Sequence, residues 1–225
     1  MRKLKFVGLF FLTIAFLSVN PIFSQAFDDS IPGKSLDEIR VLKILIAADQ
    51  GYQKWVPRWQ EEITKLANEA SMHFENQAGI KIKIVAFENW QRRTSGHQDW
   101  KALLAELSEA FPRTEQADFD VAMGLTSDSN SHGAAVLGGY FLINCRHSYV
   151  PDGYKRDIYF WLSDFSRAKI FPSLILHELG HIFGCGHNLD EREVMYTYAG
   201  SYSLIFCKEN IEIIKKNKWR KFKSA

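Results

Sequence analysis

Residues 177–187 read HELGHIFGCGH. His177 and His181 are four apart. On an α-helix that step is one turn plus about 40°, with a rise of about 6 Å, so both imidazoles leave the same side. Glu178 is rotated by about 100° from His177 along the same helix. It is poorly placed to join the two imidazoles and well placed to reach a water beside them. Gly184 is free to take the left-handed backbone that stops a helix sharply. The turn it makes brings His187 back toward the other two histidines. Three neutral imidazoles converging on one point form a zinc-type ligand set with an open fourth position, the arrangement of a catalytic rather than a structural site.

The chemistry expected of this set follows from charge. Three neutral ligands leave the full charge on one Zn²⁺ ion, which acidifies bound water toward a pKa of about 7. Glu178 is the candidate general base for that zinc-activated water, passing its proton to a leaving amine. The reaction expected is hydrolysis of a peptide bond without a covalent intermediate, with metal ligands His177, His181 and His187 and catalytic residue Glu178. A zinc-bearing, non-proteolytic module that holds a peptide or cell-envelope partner is the alternative reading of the same residues.

HELGHIFGCGH followed by Val194-Met195-Tyr196 resembles the metzincin clan of zinc endopeptidases. The spacing from His187 to Met195 is similar to that of matrixins, and so is the tyrosine directly after it. The resemblance implies that Met195 is the Met-turn residue beneath the metal site, and that Tyr196 and Tyr198 belong to the specificity pocket. It also implies an α+β zincin-like catalytic domain over residues 27–225. That domain has a twisted mixed sheet of about five strands and two long helices in an N-terminal lobe (about 38–186). A small C-terminal lobe (about 187–225) carries the Met-turn and a final helix. The chain looks like a compact secreted member of a separate, microbial branch, acting as a monomer on protein or peptide substrates.

Upstream, the hydrophobic pattern yields elements in that order. RVLKILIAA (Arg40–Ala48) reads as a buried strand. Pro57 suits the first turn of a helix in which Trp59, Ile63, Leu66, Ala70 and Phe74 share a face, with Gly79 as its stop. Ile80, Ile82 and Ile84 alternate with lysines as a half-buried strand. Asp99 is a candidate cap for a second helix ending at Pro112, and Phe119–Met123 is a third short strand. AAVLGGYFLIN (Ala134–Asn144) reads as one strand with an irregularity at Gly138-Gly139. By the resemblance it is the edge strand that pairs with substrate, with Gly138, Gly139 and Tyr140 as candidate contacts. Ile158–Leu162 is a candidate fifth strand, and a last helix runs from Lys208 to about Lys218.

The chain has 225 residues, 46% of them hydrophobic and 24% charged, which is globular composition. MRKLK, the apolar run Phe6–Val19 and the small residues Ser24 and Ala26 make residues 1–26 a signal peptide with a cut at Ala26–Phe27. A secreted or periplasmic location follows. The apolar run is about 14 residues, short of the roughly 20 that span a bilayer, so no stable membrane anchor is expected. From Phe27 to Cys207 the chain holds 18 Lys/Arg against 24 Asp/Glu, which argues against nucleic acid as a partner. The seven Lys/Arg that follow read as a solvated helix end, with an anionic-surface contact as the weaker alternative. Three cysteines, Cys145, Cys185 and Cys207, allow at most one intramolecular disulfide. Cys185 reads as a small buried hydrophobe, a disulfide partner of Cys207, or a stray ligand. His132 and His147 read as surface polar residues.

Overall fold

A computed structural model of the protein describes residues 31–93, 99–114, 116–127, 133–136, 139–144, 172–197 and 203–222. The signal-peptide segment, Cys145, Ile158–Leu162, Gly138, Tyr198, His132 and His147 lie outside these residues. The elements run β1 (Arg40–Asp49), α1 (Gln50–Trp55), α2 (Trp59–Ala78), β2 (Ile80–Trp90), α3 (Trp100–Ala110), β3 (Val121–Thr126), β4 (Gly133–Val136), β5 (Tyr140–Asn144), α4 (172–182) and α5 (Lys208–Lys216).

The strands form one sheet in the order β2-β1-β3-β5-β4. β1, β2, β3 and β5 are mutually parallel where they pair, and β4 joins β5 antiparallel. β1 is paired on both sides, and from Ile44 onward it loses both faces to the interior, which is why Ile44–Ala48 reads as an unbroken apolar run while Val41 and Lys43 before it stay partly exposed. Its alternation sorts the core. Leu42, Ile44, Ile46 and Ala48 face the layer that holds α2, α4 and α5, whereas Leu45 and Ala47 face α3 through Leu103, Leu104 and Leu107. Fully burying a Leu or Ile of this kind contributes about 1.5–3 kcal/mol. The layer around α4 is filled by Phe74, Phe183 and Phe206, with ring centroids 5.7 and 5.9 Å from Phe74.

Four expectations need correction. The stretch 134–144 is two strands, not one. β4 forms the sheet edge, and Tyr140 stands in the interior strand β5, 1% exposed, its hydroxyl 3.0 Å from the Phe111 carbonyl, to which it donates. Gly139 supplies the turn between them with φ +91°, a conformation costly for any residue with a Cβ. Second, β1 runs directly into a helix that the hydrophobic pattern does not mark, α1, capped by Asp49: Oδ1 accepts from the Tyr52 amide at 2.6 Å. Third, α2 opens at Trp59 rather than at Pro57, with Arg58 at the cap position; Gly79 ends it in the left-handed conformation as expected. Finally, the basic tail is a solvated helix end only in part: Lys208, Lys215, Lys216 and Lys221 are exposed, but two of its cations are not. Lys218 and Arg220 are 1% and 5% exposed.

The tail instead braces the end of α4. Arg220 Nη1 donates to the Ile182 carbonyl at 2.6 Å, and Asn217 Nδ2 donates to the Phe183 carbonyl at 2.8 Å. Arg40, at the start of β1, donates in turn to the carbonyls of Lys218 and Arg220. Lys218 Nζ reaches the Leu36 carbonyl at 2.9 Å. Buried cations are tolerable here because carbonyl oxygens meet them. Among the described residues, no helix is long and apolar enough to cross a membrane.

Candidate metal centre

α4 ends in a Schellman turn. Gly184 takes φ +96°, its amide donates to the His181 carbonyl at 2.9 Å, and the Cys185 amide donates to the Gly180 carbonyl at 2.9 Å. That reversal delivers His187 to His177 and His181. The three Nε2 atoms lie 3.0–3.2 Å from one another. They form the metal-type cluster of the described residues.

The outer ring nitrogens determine the tautomers. His177 Nδ1 lies 2.7 Å from the Val194 carbonyl, and His181 Nδ1 lies 2.9 Å from the Cys185 carbonyl. A carbonyl only accepts, so each Nδ1 carries the hydrogen and each Nε2 presents a lone pair. Two lone pairs aimed at each other across 3.1 Å repel unless a cation sits between them. Tetrahedral zinc with Zn–N bonds of about 2.0–2.1 Å spaces its ligand nitrogens about 3.3–3.4 Å apart, so the set fits that ion closely. Burial holds all three imidazoles below their ordinary pKa, His181 down to about 4, so they stay neutral and ready to ligate.

Glu178 occupies the next position of α4. It is 3% exposed, and its Oε2 has no hydrogen-bond partner among the described residues. Burial raises its carboxyl to about 8. Its Oε1 lies against β4: a Cβ placed on Gly133 would come within 2.2 Å of it. Gly133 lies one residue before the stretch that the hydrophobic pattern marks as a strand, and in the structure it opens β4. Nothing in a single sequence marks it, since its role is to be absent as a side chain.

Met195 is fully buried below the helix. Its Sδ would lie 2.5 Å from a Cβ on Gly180, so the lack of a side chain there lets the sulfur pack against α4. The segment bearing it is pinned by Asn188 donating to the Met195 carbonyl at 2.9 Å and by Val194 donating to the Ile205 carbonyl at 2.8 Å. Tyr196 follows, half-buried, in a bridge with Asn188. Cys185 and Cys207 are both free thiols, which corrects the idea of a bridge between them. Cys185 is buried with its Sγ 3.6 Å from the Asn210 carbonyl, and Cys207 Sγ caps α5 by accepting from the Asn210 amide at 3.5 Å.

Comparison with known proteins agrees with this geometry. The sequence model of metallo-peptidase family M12 matches residues 39–214, most of the chain and the whole of the site. The chain belongs to that family. Its fold is similar to archaemetzincin from Methanopyrus kandleri, at 20% identity and a TM-score of 0.56, covering 80% of this chain and 96% of that one. It is also similar to archaemetzincin from Archaeoglobus fulgidus, solved with malonate, at 15% identity and a TM-score of 0.50, covering 77% and 100%. No curated protein sequence matches. Metallopeptidase chemistry on a zincin-like α+β scaffold is therefore the family setting of the His177–His181–His187 cluster.

Proposed function

We propose that the protein is an exported zinc endopeptidase in which His177, His181 and His187 hold the ion and Glu178 is the general base. The observation that carries this reading is the pair of Nδ1-protonated imidazoles aiming bare Nε2 atoms at a common point, with a buried carboxyl on the residue next to His177. Bound there, zinc supplies Lewis acidity toward water and a carbonyl oxygen. Glu178, held between α4 and Gly133, takes a proton from the attacking water and returns it to the leaving amine. Among the described residues β4 is the outer strand of the sheet, and the N–H and C=O groups along such an edge suit an extended substrate, which favours cleavage within a chain. Met195 supports the ligand cluster from below as a Met-turn, and Tyr196 borders the pocket after the cut. The signal-peptide pattern of residues 1–26 supports export.

The test is digestion of a peptide library by purified protein and by Glu178→Gln, with zinc measured in both. About one zinc per chain is expected in each. Turnover should fall by roughly 10²–10⁴ in the variant, with cuts mapping inside peptides rather than at their ends. Metal without turnover in the native protein would leave the non-proteolytic module as the reading. Equal turnover in both would remove Glu178 as the base.

A further inference from the structure

A second concentration of charge lies where the tail crosses the starts of β1 and β3. Arg40, Arg113, Arg220 and Lys221 line a cavity of about 680 Å³, against the single carboxylate of Asp120. Asp120 is already engaged. It accepts from the Lys43 amide at 2.9 Å and lies 3.5 Å from Arg40 Nη2. The Phe222 ring stands among the three guanidiniums, with its centroid 5.0 Å from Arg40, 5.1 Å from Arg220 and 5.8 Å from Arg113. Arg40 is held by the carbonyls of Lys218 and Arg220, and Arg220 by that of Ile182.

Arg113 is different. It is 9% exposed, and Nη1 donates to the Asp120 carbonyl at 2.8 Å, yet Nε and Nη2 have no partner among the described residues. A guanidinium presents its donors in a planar fork, and leaving two of them unmet inside a protein is costly. Thr114, next in the chain, adds a hydroxyl to the lining. Nothing in the metal chemistry uses any of these groups.

We infer that this cavity is an oxyanion-binding site, taking a group with two or more anionic oxygens in the fork of Arg113 with Lys221 alongside. Four cations against one engaged carboxylate select for negative charge, and the unmet fork selects for paired oxygens. The ligand enters by displacing the Phe222 ring from Arg113. Two sources offer this chemistry. One is a free oxyanion of the phosphate class. The other is the chain itself, since Asp28 and Asp29 come three and two residues before Ile31, which lines the cavity. Two residues span at most about 7 Å, so the chain's own carboxylates are within reach.

The test is thermal unfolding of the zinc-loaded protein in inorganic phosphate against chloride at constant ionic strength, for the native chain and for the double variant Asp28→Asn, Asp29→Asn. Saturable stabilisation of the native chain, about 5 °C or more at a hundredfold excess over Kd, assigns a free oxyanion. Stabilisation confined to the double variant assigns the site to the chain's own acids. In whichever background responds, Arg113→Met should weaken phosphate by roughly ten- to a hundredfold. Lys221→Gln changes an exposed side chain and should weaken it severalfold while leaving the fold intact. Phosphate held instead at the metal would ignore both substitutions, and that result overturns the inference. So does the absence of saturable stabilisation in both backgrounds. The readout is unfolding rather than turnover, so it stands or falls separately from the peptidase reading.

Discussion

The metal centre and the tail brace both gather groups that repel one another, and they are built in opposite ways. The three histidines come from eleven consecutive residues. One helical turn and one left-handed glycine suffice to converge them. The guanidiniums of Arg40, Arg113 and Arg220 come from positions 180 residues apart at the extremes, and only the finished fold brings them to one ring. In the first, the repulsion is one that a bound cation relieves. In the second, it is met by main-chain carbonyls and the face of Phe222. Convergence written locally is a statement about chemistry, whereas convergence assembled from distant residues here does structural work first.

That contrast is testable at each end. His187→Ala removes a ligand but no core packing, since His187 is the exposed member of the triad. Zinc affinity measured by competition with a chelator should fall by more than the roughly 10–100-fold typical of losing a mere supporting hydrogen bond. The metal-free fold should be unchanged. A large loss of metal-free stability would show the histidines to be structural. The next effect concerns Glu178 in zinc-stripped protein. Its folded pKa of about 8 lies above the ordinary 4.5, so the folded state keeps a proton that the unfolded state releases. Below pH 4.5 both states hold it and nothing is lost. As pH rises from 4.5 to 8, stability declines by roughly 1.4 kcal/mol per pH unit, and Glu178→Gln escapes this. Urea unfolding should therefore show the variant overtaking the native chain across that window. Added zinc should close the gap, because a neighbouring cation lowers a carboxyl pKa.

On the other side of the comparison, Arg40→Met should cost roughly 2–4 kcal/mol by urea unfolding while zinc affinity stays within about threefold, because it strips two tail carbonyls of their donor. A matching loss of zinc affinity would mean that the brace on α4 sets the ligand geometry as well. The same distinction explains what was legible in the sequence. β1, the apolar face of α2 and the histidine set are periodic or local patterns, and they stand where the pattern placed them. The hairpin was misread because AAV and YFLIN are both apolar, and only the turn at Gly139 separates an edge strand from an interior one. α1 was missed because Gly51 sits inside it; a Cβ there would come 2.2 Å from Ser127 Oγ, a long-range contact invisible in one sequence. Lys218 and Arg220 looked solvated because composition cannot say which carbonyls a folded chain leaves exposed for a cation to meet.

Gly133 is where the sheet edge and the metal helix touch, so it asks whether the local motif depends on distant structure at all. A Cβ there meets Glu178 Oε1 at 2.2 Å, Glu178 Cδ at 2.9 Å and Leu174 Cδ1 at 3.0 Å. The carboxyl is the end of a flexible side chain and gives way before the backbone of β4 does. Gly133→Ala should therefore move the base without moving the ligands. A shift of about 1 Å in a reacting group costs up to roughly a hundredfold in rate. The expected result is a drop in kcat of about ten- to a hundredfold, with one zinc still bound and with stability changed by less than about 1 kcal/mol, since the clash is relieved by a rotamer change. Gly133→Ser should behave in the same way, because the obstruction lies at Cβ. If both variants keep native kcat, Glu178 has room to spare and the motif stands alone; if zinc is lost as well, β4 is part of the metal centre and the local reading of the eleven residues is incomplete.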